Sequence, residues 1–212
     1  MLAAAHHIAQ GHANMKAGRW QQGIPFGEPL AGRTLGVIGL GNIGKKLVNY
    51  GKALGMKVIA WSPNLTPERA AEAGAAFVTK AQLLSEADVV SMHLVHTDRT
   101  VGTLGAADLA LMKPGSLLVN TARGPLIDEI ALIEALKSGR ITAALDVYDR
   151  EPLPADHPFR VLPNVVLTPH IGFVKRDMFA AFYQQSVENV LAVIAGDPQR
   201  VMNPDVLMRK AS

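Results

Sequence analysis

Three side chains that could together reduce a carbonyl group each follow a short apolar run: Arg123, Glu151 and His170. An arginine fork can hold a carboxylate through two hydrogen bonds. An imidazole can give or take a proton, and a carboxylate beside it orients the ring and favours its protonated form. Next to a nicotinamide ring, this set suits the reduction of a 2-oxo acid.

Each of the three residues also has a structural alternative when it is considered alone. Arg123 could cap a helix or pair at the surface, Glu151 could be an ordinary loop carboxylate, and His170 could be a buried structural histidine. Because all three follow successive predicted strands, the interpretation as one site is favoured over three separate structural roles.

A glycine pattern near residue 40 could hold a dinucleotide. Residues 34–44 read TLGVIGLGNIG, an apolar stretch that contains the spacing G-x-G-x-x-G. In a dinucleotide site one glycine makes a tight turn, one lets the backbone approach the pyrophosphate, and one lets helix pack against strand. The spacing alone is a weak signal, since glycine is common in turns. The predicted cofactor-binding residues here are Gly39, Gly41, Asn42, Ile43 and Gly44.

Apolar runs alternate with helical periodicity from residue 34 onward. This rhythm predicts an α/β fold with a doubly wound parallel sheet of about seven strands, a Rossmann dinucleotide-binding fold. The predicted strands are 35–38, 57–61, 76–78, 88–92, 117–120, 141–145 and 165–168. The predicted helices are 1–17, one from the glycine turn to Gly55, one opened by Thr66 and Pro67, 83–86, 126–137 and 175–195.

Ligands of such sheets bind beyond the carboxyl ends of the strands. The candidate residues should therefore share one edge of the sheet. Two helices have predicted apolar faces: Ile43, Leu47, Tyr50 and Leu54 on one, and Phe179, Phe182, Val187, Val190, Leu191 and Ile194 on the other. The predicted divisions are a helix and linker over 1–33, a dinucleotide-binding domain over 34–170, and a C-terminal helix and tail over 171–212.

Composition narrows the class of protein. With 49% hydrophobic and 18% charged residues, the chain should fold around a sizeable core. The net charge of +3 comes without a basic stripe, which disfavours a nucleic-acid partner. No apolar run reaches the ~18 residues of a membrane span. With no cysteine and no signal-peptide pattern, we expect a cytoplasmic protein without a metal site, and surface positions for His6, His7 and His12.

Taken together, several stretches make the chain resemble the NAD-binding half of the D-isomer-specific 2-hydroxyacid dehydrogenases, from the first helix to about Pro204. These stretches are GRTLGVIGLGNIG at 32–44, MKPG at 112–115, NTARG at 120–124, ALDV at 144–147, EPLP at 151–154 and TPHIG at 168–172. The resemblance implies NAD(P)-dependent hydride transfer between the cofactor and a small 2-hydroxy or 2-oxo acid. It also implies that Arg123, Glu151 and His170 are catalytic and that Asp146 lies against the nicotinamide carboxamide.

The remaining cofactor-binding candidates follow other strands: Ser62, His96 and Thr121. For His96 an ordinary loop position is favoured over contact with the cofactor, and for Asp146 the capping of a turn is an equal alternative. Ser62 stands where a site that prefers NAD usually has an acid. The nearest arginine, Arg69, falls inside the next predicted helix, so the choice between NAD and NADP stays open with NAD favoured.

Members of the family have two lobes, and the substrate lobe precedes the first helix. The resemblance here covers the NAD-binding lobe, and three explanations stay open: Met1 is an internal residue of a longer protein, a late start, or the true start. We expect the C-terminal helix to pack back toward that substrate lobe. We also expect the 212-residue chain to bind dinucleotide and to turn over 2-oxo acids poorly or not at all.

The alternative function is a non-catalytic NAD(H)-binding module that acts as a redox sensor or an interaction protein. The resemblance further implies a homodimer. The first helix is a candidate contact because it carries Leu2, Ile8 and Met15.

Overall fold

The computed structural model describes residues 1–205, which include a seven-stranded sheet. Its strands are β1 (Thr34–Ile38), β2 (Lys57–Trp61), β3 (Ala76–Phe77), β4 (Val89–Met92), β5 (Leu117–Asn120), β6 (Thr142–Leu145) and β7 (Val165–Leu167). All strands are parallel, in the order β3-β2-β1-β4-β5-β6-β7. The predicted doubly wound fold is confirmed, and every strand end lies within one residue of its prediction.

Helices alternate with the strands. They are α1 (Leu2–Ala5), α2 (Ile8–Lys16), α3 (Asn42–Ala53), α4 (Pro67–Glu72), α5 (Lys80–Glu86), α6 (Ala106–Leu111), α7 (Glu129–Lys137) and α8 (Arg176–Ile194). The chain divides into two compact units: residues 1–170 hold the whole sheet, and the second unit begins at Ile171 and contains α8. The end of the predicted C-terminal segment, residues 206–212, lies outside the described residues.

Both faces of the sheet are buried. In β1, Leu35 and Val37 belong to the core that also contains Val48 of α3, whereas Ile38 belongs to the core that contains Leu83 of α5. Successive side chains of a strand point to opposite faces, so one strand supplies both cores. Because helices cover both faces, a ligand can reach the strands only at the edges where they end.

The strand order reverses between β1 and β4. The chain runs outward from β1 through β2 to β3 and then returns to the other side of β1 as β4. At their carboxyl ends the two strands stay linked, because the His93 N–H donates to the Ile38 carbonyl over 2.7 Å. A crevice at such a reversal is the usual ligand site of this architecture.

The prediction of one helix over residues 1–17 is wrong in one respect, because this segment forms two helices, α1 and α2. His7 has a φ of 51°, a left-handed conformation that an α-helix cannot contain, and α2 begins after it. The predicted helix over 126–137 also differs: a 3₁₀ turn spans Gly124–Leu126, and α7 begins at Glu129. The cause is Asp128, whose side chain accepts the Ala131 N–H over 3.0 Å and caps the helix.

Two more helices depart from the sequence prediction. The predicted 83–86 helix begins earlier, at Lys80, because Thr79 and Gln82 form a capping box. Residues 106–111 form α6, which the sequence did not predict.

The predicted buried face of α3 is wrong for Ile43 and Tyr50, which are 65% and 61% exposed. The buried residues of α3 are Gly44, Val48 and Gly51. A Cβ atom on Gly51 would lie 2.7 Å from the Leu35 side chain. The helix therefore packs through its small residues and brings its backbone against β1.

The final helix, α8, begins and ends within one residue of its prediction. Its predicted apolar residues are exposed, from 36% at Phe179 to 77% at Ile194. Packing of this helix toward a substrate lobe stays a prediction. In residues 1–205 no helix has both the length and the hydrophobicity needed to cross a membrane.

A charged network ties together the edge of the sheet opposite the predicted site. Asp88, just before β4, accepts the Thr34 N–H over 2.8 Å and the Lys113 ammonium over 3.1 Å. The Arg33 guanidinium lies 3.9 Å from the same carboxylate. Burial raises the pKa of the Asp88 carboxyl, but these hydrogen bonds and charges outweigh it and hold that pKa below its ordinary value of 3.8.

We predict that Asp88→Ala lowers the free energy of unfolding at pH 7 by about 1–3 kcal/mol, because it leaves the Thr34 N–H and the Lys113 ammonium without their acceptor. The folded-state pKa is depressed, so this stabilisation is present above the unfolded pKa and is lost as pH falls through the folded pKa. Urea unfolding followed by circular dichroism at pH 7 and at about pH 3 measures it.

A matched control is Glu134→Gln, which removes an exposed carboxylate paired with Lys137. We expect that variant to change stability by less than about 1 kcal/mol. An Asp88→Ala deficit that stays the same at both pH values would contradict the assignment.

Candidate active site

The loops after β5, β6 and β7 carry the three predicted catalytic residues. His170 Nδ1 lies 2.6 Å from Glu151 Oε2, so the imidazole and the carboxylate form one hydrogen-bonded pair. Burial raises the pKa of the Glu151 carboxyl, but hydrogen bonds from His170 and the Tyr148 N–H outweigh it, together with the charges of His170 and Arg123. The net pKa lies below the ordinary value of 4.5, so this carboxyl is an anion at neutral pH.

Tyr148 holds the pair from both sides. Its N–H donates to Glu151 Oε1 over 2.9 Å, which fixes the carboxylate oxygen that His170 does not use. Its buried hydroxyl donates to the Thr168 carbonyl over 2.8 Å, two residues before His170. Tyr148 alone, in the loop after β6, therefore positions both the carboxylate of Glu151 and the backbone that leads to the His170 imidazole.

Asn120 shapes the loop that presents Arg123. This buried side chain donates from Nδ2 to the Arg123 carbonyl over 2.8 Å and accepts the Ala122 N–H over 3.0 Å. The loop packs tightly on its neighbour, since a Cβ atom on Gly124 would lie 2.1 Å from the Tyr148 backbone. The Arg123 side chain itself is exposed and donates to the Ala122 carbonyl over 2.6 Å.

Asp146 lies between these two loops and is only 5% exposed. Its carboxylate accepts the Thr168 hydroxyl over 2.5 Å. Its N–H donates to the Asn120 carbonyl over 3.0 Å, which joins the ends of β5 and β6. Asp146 thus stands beside the catalytic candidates, at the same edge of the sheet.

The glycine turn follows β1 and leads into α3. Gly39 has a φ of +98°, and a Cβ atom there would lie 2.6 Å from the His93 backbone. A Cβ atom on Gly44 would lie 2.1 Å from the Gly39 carbonyl oxygen. These two glycines are therefore required by the fold itself, for the turn and for the close approach of helix to strand.

Gly41 differs from the other two glycines, because a Cβ atom there would meet nothing within 4 Å. The protein's own packing does not demand a glycine at this position. An open cradle beside the first turn of α3 is where the backbone N–H groups could receive a pyrophosphate. Asn42 and Ile43 begin α3 and are exposed beside it. The turn therefore fits a dinucleotide.

The other cofactor candidates lie on neighbouring loops. Ser62 follows β2 and is partly buried, Thr121 follows β5 and is exposed, and His96 is exposed in the loop after β4. In that same loop His93 Nε2 lies 2.9 Å from the Ser91 hydroxyl, and burial lowers the pKa of His93 to about 4. His93 is therefore neutral at physiological pH.

Sequence reasoning missed Asn120, Tyr148 and Thr168 as supporting residues. An asparagine at the last position of an apolar strand is a signal for a side-chain-stabilised turn, so Asn120 could have been found. Tyr148 acts partly through its backbone N–H, which carries no sequence signal. Within residues 1–205 no group of three or more His, Cys, Asp or Glu side chains could hold a metal ion.

Comparison with known proteins agrees with this arrangement. The model of the NAD-binding domain of D-isomer-specific 2-hydroxyacid dehydrogenases matches residues 1–172. The chain belongs to this family. The resemblance inferred from the motifs is confirmed, and the cofactor of the family's matched domain is a nicotinamide dinucleotide, NAD or NADP with NAD favoured.

Individual relatives show how much of the family's length is present. The chain is 40% identical over 201 residues to the D-3-phosphoglycerate dehydrogenase of Archaeoglobus fulgidus, and the match covers 94% of this chain and 38% of that protein. It is 38% identical over 216 residues to the glyoxylate reductase of Thermococcus litoralis, covering 98% of this chain and 65% of that one. The chain therefore corresponds to between about one third and two thirds of the length of these two relatives.

Solved structures are similar in fold. The phosphoglycerate oxidoreductase of Vibrio cholerae superimposes with a TM-score of 0.88 at 38% identity, over 92% of this chain and 64% of that one. The D-lactate dehydrogenase of Escherichia coli gives a TM-score of 0.85 at 30% identity, over 94% and 63%.

The two kinds of glycine in the turn lead to a prediction. Gly41→Ala should keep the thermal unfolding midpoint of the wild-type chain and weaken NADH binding about tenfold or more, because its methyl group occupies the cradle. Gly44→Ala should lower the midpoint itself, because its methyl group meets the Gly39 carbonyl. Differential scanning fluorimetry and NADH fluorescence titration separate the two effects. Unchanged NADH affinity in Gly41→Ala would show that the cradle is not the phosphate site.

Proposed function

We propose that this chain is the catalytic NAD(P)-binding domain of an oxidoreductase that interconverts a small 2-oxo acid and its 2-hydroxy acid. The observation that carries the proposal is the 2.6 Å contact between His170 and Glu151 at the edge that also holds Arg123 and the glycine turn. A domain that only bound a dinucleotide would not require an imidazole fixed by an ionised carboxylate beside an exposed arginine.

The proton-transfer step falls to His170. With Nδ1 bonded to the Glu151 carboxylate, we assign the proton transfer to the other ring nitrogen, Nε2. During reduction the Nε2 proton goes to the carbonyl oxygen as that atom gains negative charge. The Glu151 carboxylate holds the ring in the same orientation before and after the transfer.

Arg123 binds the substrate. Its guanidinium uses Nη1 for the Ala122 carbonyl, which fixes the side chain beside the pair, and its other donors can grip the carboxylate of a 2-oxo acid. The same positive charge polarises the adjacent carbonyl group. Positioning of the acid and the carbonyl is the larger part of what the protein adds.

The dinucleotide supplies the hydride when it is bound. Gly39, Gly41 and Gly44, with Asn42 and Ile43, would hold its pyrophosphate at the start of α3. Asp146 would lie against the nicotinamide carboxamide, where the Thr168 hydroxyl fixes its carboxylate. Ser62, His96 and Thr121 would line the rest of the site.

The names of the relatives narrow the substrate class. D-3-phosphoglycerate dehydrogenases and glyoxylate reductases both handle short acids with oxygen on the carbon beside the carboxylate. We therefore choose glyoxylate, hydroxypyruvate and pyruvate as test substrates. The competing function is a dinucleotide-binding module without catalysis, and the same experiment distinguishes the two.

We predict that His170→Asn lowers the rate of NADH oxidation at least about 100-fold for whichever of the three acids the wild-type chain reduces, because general acid catalysis is lost. The NADH dissociation constant should stay within about twofold of the wild type, since the proposed phosphate site lies at the glycine turn and His170 follows β7. Glu151→Gln should lose turnover in the same way. Stopped-flow absorbance at 340 nm and fluorescence titration measure the two quantities.

If the His170→Asn variant kept full turnover, His170 would not be the general acid. A wild-type chain that binds NADH and reduces none of the three acids would assign the non-catalytic function to the 212-residue chain by itself.

We also infer that the chain pairs with a second copy of itself. The observation in support is that the apolar residues of the first two helices are half exposed: Leu2 by 50%, Ile8 by 58% and Met15 by 56%. Exposed apolar groups collected on one segment are typical of an interface. Light scattering should give the mass of a dimer.

Ile8→Asp combined with Met15→Asp should shift that mass toward the monomer, because charges disfavour burial at the contact. Lys16→Asp, at the end of the same helix, is the control and should leave the mass unchanged. A wild-type monomer at micromolar concentration would contradict this inference.

A further inference from the structure

The loop after β2 lacks the carboxylate that discriminates against NADP in sites of this architecture. Ser62 directly follows the strand, and no acid occurs between it and Glu68. An Asp or Glu at this place binds the ribose 2′-hydroxyl of NAD and repels a 2′-phosphate. In this chain the repulsion is absent, so the selectivity of the site depends on which other charges face the loop.

Arg69 is a cation whose side chain contacts this loop. Although Arg69 belongs to α4, its Nη1 donates to the Asn64 carbonyl over 3.3 Å, two residues after Ser62. The Arg69 N–H donates to the Thr66 hydroxyl over 3.4 Å, which closes the same loop. The guanidinium is therefore folded back from the helix onto the β2–α4 loop.

The Arg69 guanidinium has the capacity to bind an anion there. It is exposed, and within residues 1–205 it forms no ion pair with a carboxylate. One contact to a carbonyl leaves several of its five N–H donors for a phosphate, for which the planar fork is well suited. The neighbouring Glu68 is held by its own backbone N–H and by Thr66, which lower its pKa. Glu68 is thus engaged at the start of α4.

We propose that Arg69 is a specificity-determining residue that lets this site accept a 2′-phosphate, so that the chain binds NADPH with an affinity close to that for NADH. The inference rests on the dinucleotide site proposed above. The hydroxyl of Ser62 serves either ribose, and the guanidinium on Asn64 adds a contact only when the phosphate is present. The family's preference for NAD is thereby weakened in this chain by a residue outside β2.

The test is a fluorescence titration of the 212-residue chain with NADH and with NADPH, which needs no turnover. For the wild type we expect the two dissociation constants to differ by less than about tenfold. Arg69→Gln should weaken NADPH binding about tenfold through loss of a charged hydrogen bond, and leave NADH binding within about twofold. Ser62→Asp should also weaken NADPH binding, because it restores the repulsion.

The control is Lys137→Gln, which removes the same charge from an exposed position on α7. It should change neither affinity. Wild-type NADH binding more than about 100-fold tighter than NADPH binding would overturn the inference, as would an Arg69→Gln variant that weakens both nucleotides alike. If the wild-type chain binds NADH and does not bind NADPH, the inference about Arg69 is wrong and the proposed dinucleotide site stands. If the chain binds neither nucleotide, the proposed dinucleotide site is wrong, and so is the inference that rests on it.

Discussion

The hydrogen bond between Glu151 and His170 is the interaction on which the proposed chemistry depends, and it joins two loops that are far apart in sequence. Glu151 follows β6 and His170 follows β7, so the pair exists only because these strands are neighbours. His170 has a φ of 53°, a region that few residues other than glycine adopt. The contacts of Tyr148 to Glu151 and to the Thr168 carbonyl hold the chain in that conformation. The imidazole is placed by its surroundings rather than by its own preference.

Register in the sheet sets the level at which each of these loops begins. Asn120, the last residue of β5, pairs with Leu145 of β6, and Leu145 pairs with Leu167 of β7. A slip of one residue would turn every following side chain to the opposite face of the sheet. The Asp88 network at the amino ends of β1 and β4 opposes a slip between those two strands. The distance between Glu151 and His170 depends on the register of β6 against β7.

Sequence alone was sufficient for the strands and for placing the predicted catalytic residues in the loops after β5, β6 and β7. Fully buried parallel strands leave uninterrupted apolar runs, which explains why 117–120 was predicted without error. Helix starts were less predictable because side-chain caps decide them, as Asp128 does for α7. The buried face of α3 could not be found from apolar spacing, since Gly44 and Gly51 make the contact. The support given by the Tyr148 N–H depends on turn geometry, which no residue type specifies.

The residue proposed to select the cofactor and the residues proposed to move the proton lie on opposite sides of the reversal in strand order. Arg69 acts on the loop after β2, whereas His170 follows β7, with β1, β4, β5 and β6 between those two strands. A dinucleotide bound along the carboxyl edge would therefore meet its selecting residue at one end and its reactive partner at the other. Neutral His93 lies at the reversal itself and adds no charge beneath the phosphates. Because four strands separate the two ends, selection of NAD or NADP can change in this fold while the acid, the carboxylate and the arginine keep their geometry.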